Sequence, residues 1–419
     1  MNIHSIRRRT WLGAAIASIA VAGAFGFPSV YKTGLTISKP GVQPGYVLFA
    51  ANGSNYAIDT KGEVAMKWSS PEPGTTLGYG RPLANGNILA GMSGGRAAGG
   101  GRAGAEGGGP KESGGTVIEY TQEGKEVWKY VETERSLHHD FERLANGNTL
   151  MVCSKNLMVP AVSKKLLKDD CLVEVNPAGK VVWEWQTTDH FNEMDLPPIV
   201  KDTLMNGYGE KPTFGMGSPQ ATAGMDWGHV NAASEIPPTA GIKDPRFKAG
   251  NIIVSYRPLS LLVVIDHDTK KIVWQTTGVS IGQHNVHFLP AGVPGTGHIL
   301  LFDNGYNSVN ANPRHADVNS FSSIVELDPL TNQIVWHYTA EMSGNPIWSF
   351  FSDHIGGVQR QPNGNTLICE GVNGRLFEVT PTGEIVWEYV NPFPKAGKIP
   401  DSTVFRAVKV PESWLKVHL

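Results

Sequence analysis

Four short stretches place histidine beside amide, acidic or small residues: His138-His139-Asp140, Trp227-Gly228-His229-Val230-Asn231, Gln283-His284-Asn285 and Asp353-His354-Ile355. Imidazoles gathered in one concave site support two chemistries, metal ligation by neutral nitrogens or acid, base and nucleophile work near neutral pH. A fifth stretch, Ser255-Tyr256-Arg257, adds a guanidinium. If Arg257 shares the site, its fixed cation argues against a neighbouring metal and for an oxyanion such as sulfate or carboxylate. Taken alone, each histidine reads as a satisfied polar residue at a strand end, and Arg257 as a surface or packing cation. Only a scaffold that makes them converge gives them a joint meaning.

That scaffold is written as a repeat, the feature that decides an architecture. A turn followed by β-formers and a tryptophan recurs six times, ending at Trp68, Trp128, Trp183, Trp274, Trp336 and Trp387. Each copy reads as a hairpin, as in Leu172-Val173-Glu174-Val175, the turn Asn176-Pro177-Ala178-Gly179, and Lys180-Val181-Val182-Trp183. Upstream lie further strand pairs joined by Leu83-Ala84-Asn85-Gly86-Asn87, Leu144-Ala145-Asn146-Gly147-Asn148 and Gln361-Pro362-Asn363-Gly364-Asn365, where Asn-Gly is expected to supply positive φ angles. Two hairpins in series make a four-stranded antiparallel sheet, and six such sheets in a ring make an all-β, six-bladed propeller over residues 45–412. The first hairpin lacks an inner strand, and Val404-Phe405-Arg406-Ala407-Val408 is expected to fill the gap and close the ring. The tryptophans are read as inter-blade packing residues.

Inner strands of a propeller all start at one end of its channel, so residues at those starts converge. Here they read Gly78-Tyr79-Gly80, His138-His139-Asp140, Trp227-Gly228-His229, Gln283-His284-Asn285, Asp353-His354-Ile355 and Phe405-Arg406. Residues 93–115 are Gly-rich and read as a surface loop, and residues 189–226 as a long insertion before His229 that could serve as a lid.

The remaining composition narrows the classes. Thirty-six basic against 38 acidic residues leave a formal charge of −2, which gives no global pull toward nucleic acid or an anionic membrane. Three cysteines without Cys-x-x-Cys spacing disfavour zinc and redox motifs; Cys153 and Cys171 read as buried thiols, with a disulfide between them as the alternative. Arg7-Arg8-Arg9-Thr10-Trp11-Leu12, followed by an apolar run to Phe27, reads as a Sec or twin-arginine export signal over residues 1–27, with an uncleaved anchor as the alternative. A periplasmic location is therefore expected. No later apolar run is long enough to span a bilayer.

In order along the chain, His138-His139-Asp140 ahead of the Leu-x-Asn-Gly-Asn turn, Asp226-Trp227-Gly228-His229-Val230-Asn231, Ser255-Tyr256-Arg257, and Gln283-His284-Asn285 with Phe302-Asp303-Asn304-Gly305 resemble the bacterial arylsulfate sulfotransferase family. The resemblance implies a six-bladed periplasmic propeller that moves a sulfuryl group from an aryl sulfate donor to a phenol acceptor without a nucleotide, metal or other cofactor. It implies that His284 is the nucleophile, with His229, Arg257 and His139 or His138 completing the catalytic set. Around them, His138, Asn231, His354, Tyr79 and Arg406 are expected to bind substrate. Better-known members carry an N-terminal β-sandwich through which they dimerise and, in some, a close cysteine pair near the nucleophile; neither pattern is seen here, so oligomeric state is not carried over. Two other readings compete. Ile265-Asp266-His267-Asp268-Thr269-Lys270-Lys271-Ile272-Val273-Trp274 echoes the tryptophan-docking repeat of quinone-dependent dehydrogenases, without their adjacent cysteines, and propellers also serve as non-catalytic scaffolds.

Overall fold

The computed structural model describes residues 32–94, 114–206, 225–306, 319–395 and 401–416. The export signal, nearly all of the Gly-rich loop and residues 207–224 of the insertion lie outside the described residues.

Six antiparallel sheets form the expected ring. A short strand β1 (Gly34–Ser38) precedes blade one, which holds β2 (Tyr46–Ala51), β3 (Ser54–Ile58) and β4 (Val64–Ser69). Blade two is β5 (Thr75–Pro82), β6 (Ile88–Gly94), β7 (Gly115–Tyr120) and β8 (Glu126–Glu132). Blade three is β9 (Ser136–Arg143), β10 (Thr149–Leu157), β11 (Leu167–Val175) and β12 (Val181–Gln186), with β13 (Met225–Asp226) added in parallel to β11. Blade four is β14 (Val230–Glu235), β15 (Ile252–Tyr256), β16 (Leu261–Ile265) and β17 (Ile272–Thr277). Blade five runs from β18 (His284–Phe288) through β19 (Ile299–Asp303) and β20 (Ser323–Asp328) to β21 (Gln333–Tyr338). Blade six runs from β22 (Gly357–Arg360) through β23 (Thr366–Glu370) and β24 (Arg375–Val379) to β25 (Ile385–Val390). The last strand, β26 (Ala407–Val410), pairs with β2 and completes blade one.

Two details differ from the sequence reading. The closing strand starts at Ala407, which leaves Phe405 and Arg406 ahead of it at the channel mouth. Unforeseen as well, β1 pairs with β25 and gives blade six a fifth strand that covers its outer edge.

The tryptophans explain the ring. Each indole Nε1–H reaches into the following blade: Trp68 to Gln122 O (2.8 Å), Trp128 to Pro177 O (2.9 Å), Trp183 to His267 O (2.9 Å), Trp274 to Asn332 Oδ1 (3.2 Å), Trp336 to Pro381 O (3.0 Å) and Trp387 to Thr60 O (2.9 Å). The last bond runs from blade six back to blade one. Buried glutamates on the third strands reinforce the joints. Glu119 binds Arg143, which lies over Trp128; Glu174 binds His267, which stacks on Trp183; Glu326 binds Arg360 over Trp336; and Glu378 binds Lys409 near Trp387.

The Asn-Gly turns correct an expectation. Only the glycines, Gly86, Gly147 and Gly364, take positive φ. Leu83 N–H bonds Asn87 O while Gly86 N–H bonds Leu83 O, a three-residue loop ending in a glycine bulge rather than a two-residue turn. Asn85 keeps negative φ because its Oδ1 accepts the Asn87 N–H at 2.9 Å, an Asx turn.

Two outcomes are expected. Trp387→Phe leaves the Thr60 carbonyl without its indole donor at the closing joint, and should cost about 1–3 kcal/mol; a thermal midpoint lower than that of Trp336→Phe, whose indole is only half-buried, checks it. The Glu174 hydrogen bond raises the His267 pKa. The pair's stabilisation is thus fully present below the ordinary histidine value and lost as pH rises through the raised one. The difference in thermal midpoint between wild type and His267→Gln should therefore shrink from pH 6 to pH 9.

Candidate functional site

At the channel mouth the inner strands do not start as regular strands. Register shifts fall between Leu77 and Gly80, opposite Met151 to Cys153, between Val230 and Ala232, and between His284 and His287. Four mouth residues adopt left-handed backbone: His139 (φ 56°), His229 (φ 41°), Asn285 (φ 51°) and Ile355 (φ 50°). Bulges with such residues re-aim side chains, and strained non-glycine positions cluster where function needs them.

Histidines from three blades meet there. The ring centroids of His139 and His229 are 4.7 Å apart, those of His138 and His139 5.0 Å, and those of His138 and His229 6.5 Å. Burial pushes the His139 pKa well below the ordinary value, and the neighbouring His229, His138 and His284 push it further, so this imidazole is neutral at rest. Burial also lowers His138, with Asp170 opposing.

His284 is fully buried, and its hydrogen bonds fix its tautomer. Asn304 donates through Nδ2 to Ser352 O (2.7 Å) and Ile355 O (2.9 Å), so its Oδ1 is the atom that faces His284 Nδ1, at 2.6 Å. An amide oxygen only accepts, so His284 carries its proton on Nδ1 and leaves a lone pair on Nε2. The strained Ile355 brings its N–H to that nitrogen at 3.3 Å.

His229 is held by Asp226 (Nδ1 to Oδ2, 2.8 Å), which also binds Lys168 Nζ at 3.0 Å. Burial alone would raise the Asp226 carboxyl, but Lys168 and His229 hold it well below the usual range. The Asp226-Trp227-Gly228-His229 stretch is thereby accounted for: Trp227 Nε1 bonds Asp169 Oδ1 (3.0 Å), and a Cβ on Gly228 would stand 2.8 Å from Asp170 Oδ2. Arg257 is buried at the turn between β15 and β16, on the mouth side, and its N–H approaches His229 O at 3.5 Å.

Other expected site residues are placed differently. Asn231 is buried, and its Nδ2 donates to Gln283 O (2.7 Å), a tie between blades four and five that presents His284. His354 pairs with its neighbour Asp353 (2.7 Å) and remains about one-third exposed; it is Ile355 that touches His284. Tyr79 and Phe405 form an aromatic wall, 6.0 Å between centroids, with Phe405 6.2 Å from His139. Arg406 lies against both rings, 5.1 and 5.5 Å from their centroids, and shares Asp140 Oδ1 with Arg81 at 3.0 and 2.9 Å. Beside this pair His287, which sequence reasoning passed over, is pushed down to about 4 by burial and by both arginines.

Asn304, Asp226 and Asp170 were also missed as site residues. Only Asp170 lay outside every motif singled out, because its strand is the second in from the blade's outer edge. The described part of the insertion is anchored, not loose: Phe191, Met194 and, on helix α1 (Pro198–Asn206), Val200 and Leu204 are buried with Trp185 and Trp227. Cys153 and Cys171 face one another across β10 and β11 as free, buried thiols. Among the described residues, no group of three His, Cys, Asp or Glu side chains is arranged to hold a metal ion, and no helix is long and apolar enough to cross a membrane.

Comparisons with known proteins agree with this arrangement of motifs. A search of the curated proteins finds no match. Among solved structures, a protein of unknown function from Bacteroides caccae superposes with a TM-score of 0.49 at 14% identity, covering 88% of this chain and 99% of its own. Streptogramin B lyase follows at 0.40 and 10% identity, covering 88% and 87%. The quinohemoprotein alcohol dehydrogenase of Comamonas testosteroni gives 0.38 and 13%, covering 84% and 59%. These scores carry no functional argument. The model of the arylsulfotransferase (ASST) family, in contrast, matches residues 112–392, which take in the histidines of three blades, Arg257 and Asn304. A match over more than half of the sequence establishes that the chain belongs to the arylsulfotransferase family.

Proposed function

We propose that the protein transfers a sulfuryl group from an aryl sulfate ester to a phenolic acceptor in two steps, through a sulfated His284. Family membership supports aryl sulfate sulfotransferase activity in general. The observation that carries the finer reading is the tautomer of His284: a neutral imidazole whose Nε2 lone pair is set by Asn304 on its far side.

In the first step the S–N bond to Nε2 forms as the aryl O–S bond breaks. The departing phenolate takes a proton through a neighbouring imidazole, His139 or His229, from a histidine cluster that holds one extra proton when the donor binds, and leaves as the phenol. The sulfated ring then bears positive charge, and its Nδ1–H remains bonded to Asn304 Oδ1. In the second step an acceptor phenol returns a proton to the same imidazole, its oxygen attacks sulfur, and the S–N bond breaks. A sulfate monoester spreads one negative charge over three oxygens and reacts through a loose transition state, so placement and charge stabilisation dominate. Arg257, whose planar fork suits such oxygens, is assigned that role. The aromatic wall of Tyr79 and Phe405 beside His139 suits the aryl group. Nothing in the cycle requires a nucleotide, a metal or another cofactor. Export to the periplasm, expected from the N-terminal arginines and apolar run, belongs to the same proposal.

Incubation of purified protein with 4-nitrophenyl sulfate, with and without a second phenol, tests the reading. Acceptor-dependent release of 4-nitrophenol that vanishes in His284→Ala is expected; no release across a panel of aryl sulfates would overturn it. Asn304→Leu frees His284 to change tautomer and should lower the turnover rate by about two to four orders of magnitude with KM little changed, by analogy with tautomer loss in a hydrolytic triad.

A further inference from the structure

We infer that Asp170, His138 and His139 form one proton-sharing chain whose working end is Nε2 of His139, the atom that protonates the departing phenolate and deprotonates the acceptor. The inference rests on the sulfuryl-transfer reading and settles which of its two candidate imidazoles moves the proton.

The chain is written in contacts among buried or half-buried groups. Asp170 is fully buried on β11, with Oδ2 accepting the Val230 N–H at 2.9 Å. Its Oδ1 lies 3.0 Å from His138 Nε2, and neither of these two atoms has another partner among the described residues. His138 Nδ1 in turn meets His139 Nδ1 at 2.8 Å. A carboxylate can only accept, so His138 carries its proton on Nε2. Its Nδ1 is then an acceptor, which obliges His139 to protonate Nδ1 and leaves the lone pair on His139 Nε2. The ring that holds this atom sits 4.7 Å from His229 and 6.2 Å from Phe405, between the second imidazole and the aromatic wall.

Such a chain resolves a difficulty. His139 alone would be a poor base, because burial and the surrounding His229, His138, His284 and Lys168 all disfavour a positive charge on it. With the chain, no charge need stay there. As Nε2 takes the phenol proton, the Nδ1 proton passes to His138 Nδ1, and the resulting imidazolium sits on His138, where burial still disfavours charge but the Asp170 carboxylate, which His139 lacks, opposes it. The proton count balances when the donor meets the protonated chain: His138 is then the imidazolium and His139 carries its proton on Nε2, the departing phenolate takes that proton as His138 returns its own to His139 Nδ1, and the acceptor phenol restores it. His229 stands apart from this route, since its Nδ1 is tied to Asp226, which Lys168 also binds. Asp170 and His138 are therefore positioning and proton-holding residues, and His139 is the one that touches substrate. Gly228 belongs to the device, because any side chain there would push Asp170 Oδ2 away from β14.

Two measurements test the inference. Long-range 15N–1H correlation on histidine-labelled protein, at a pH where His138 is neutral, should find His139 protonated on Nδ1, the less common tautomer, and should lose that signature in Asp170→Asn; a wild-type His139 protonated on Nε2 while His138 is neutral overturns the chain whatever the activity. Transfer rates from aryl sulfates of graded phenol pKa supply the functional arm. General acid catalysis contributes about 100- to 10,000-fold, so Asp170→Asn and His139→Gln should both slow phenyl sulfate at least about 100-fold and 4-nitrophenyl sulfate less than tenfold, with the double variant no worse than His139→Gln. A uniform loss across donors, which a purely structural Asp170 would give, overturns the inference while leaving sulfuryl transfer in place. Absence of transfer in the wild type overturns both readings, and retention of the leaving-group dependence in His139→Gln but not in His229→Gln assigns the proton to His229 instead.

Discussion

The ring depends on one contact repeated around it: an indole N–H on the outer strand of a blade, bonded to a turn of the next. A propeller blade is a sheet with two apolar faces, and neighbours pressed together by burial alone could slide. A directional hydrogen bond at a fixed radius removes that freedom, and in four of the joints a cation (Arg143, Arg360, Lys409) or the stacked imidazole of His267, bound to a buried glutamate, adds a second fixed point beside the indole. Because the outer joints fix the blade angles, the inner strands meet at defined distances. A fraction of an ångström at that radius decides whether two imidazole nitrogens share a proton.

At the mouth the same molecule gives up regularity. Left-handed backbone at non-glycine residues costs on the order of 1–3 kcal/mol each, and His139, His229, Asn285 and Ile355 all adopt it. Each is held by something specific. Asn285 Oδ1 accepts the Val358 N–H at 2.8 Å, and Ile355 has its carbonyl bound by Asn304 and Ser352 while its N–H meets His284. The strain places side chains where a regular strand start would not carry them. It also explains why two residues adjacent in sequence, His138 and His139, can both face the site, a geometry closed to neighbours on a pleated strand.

Much of this was legible beforehand, because tryptophans, Asn-Gly turns and histidines keep their spacing against the strand starts and the repeat converts spacing into place. What stayed hidden was set by long-range contact. Asp170 and Asn304 act through partners on other strands, and nothing local distinguishes Asp170 from the structural Asp169 beside it. His354 already stood two residues out of alignment with the other histidines when counted from the Asn-Gly turn, and its imidazole pairs with Asp353 while the left-handed Ile355 brings its backbone N–H to His284. The glycine-bulge loops likewise depended on asparagine side chains bonding their own backbone, which the dipeptide alone does not reveal.

The shared carboxylate of Asp140 has a consequence for the order of assembly. Its two guanidinium partners come from opposite ends of the chain, Arg81 from blade two and Arg406 from the segment leading into the closing strand. Until that strand docks on β2, Asp140 faces a single arginine, and the wall of Tyr79 lacks Phe405 and the cation that lies over both. A nascent chain emerging from the ribosome thus has every histidine it needs long before it has a finished pocket. The final segment acts as the latch that balances charge and shapes the aryl surface together, so competence arrives in one late event rather than blade by blade.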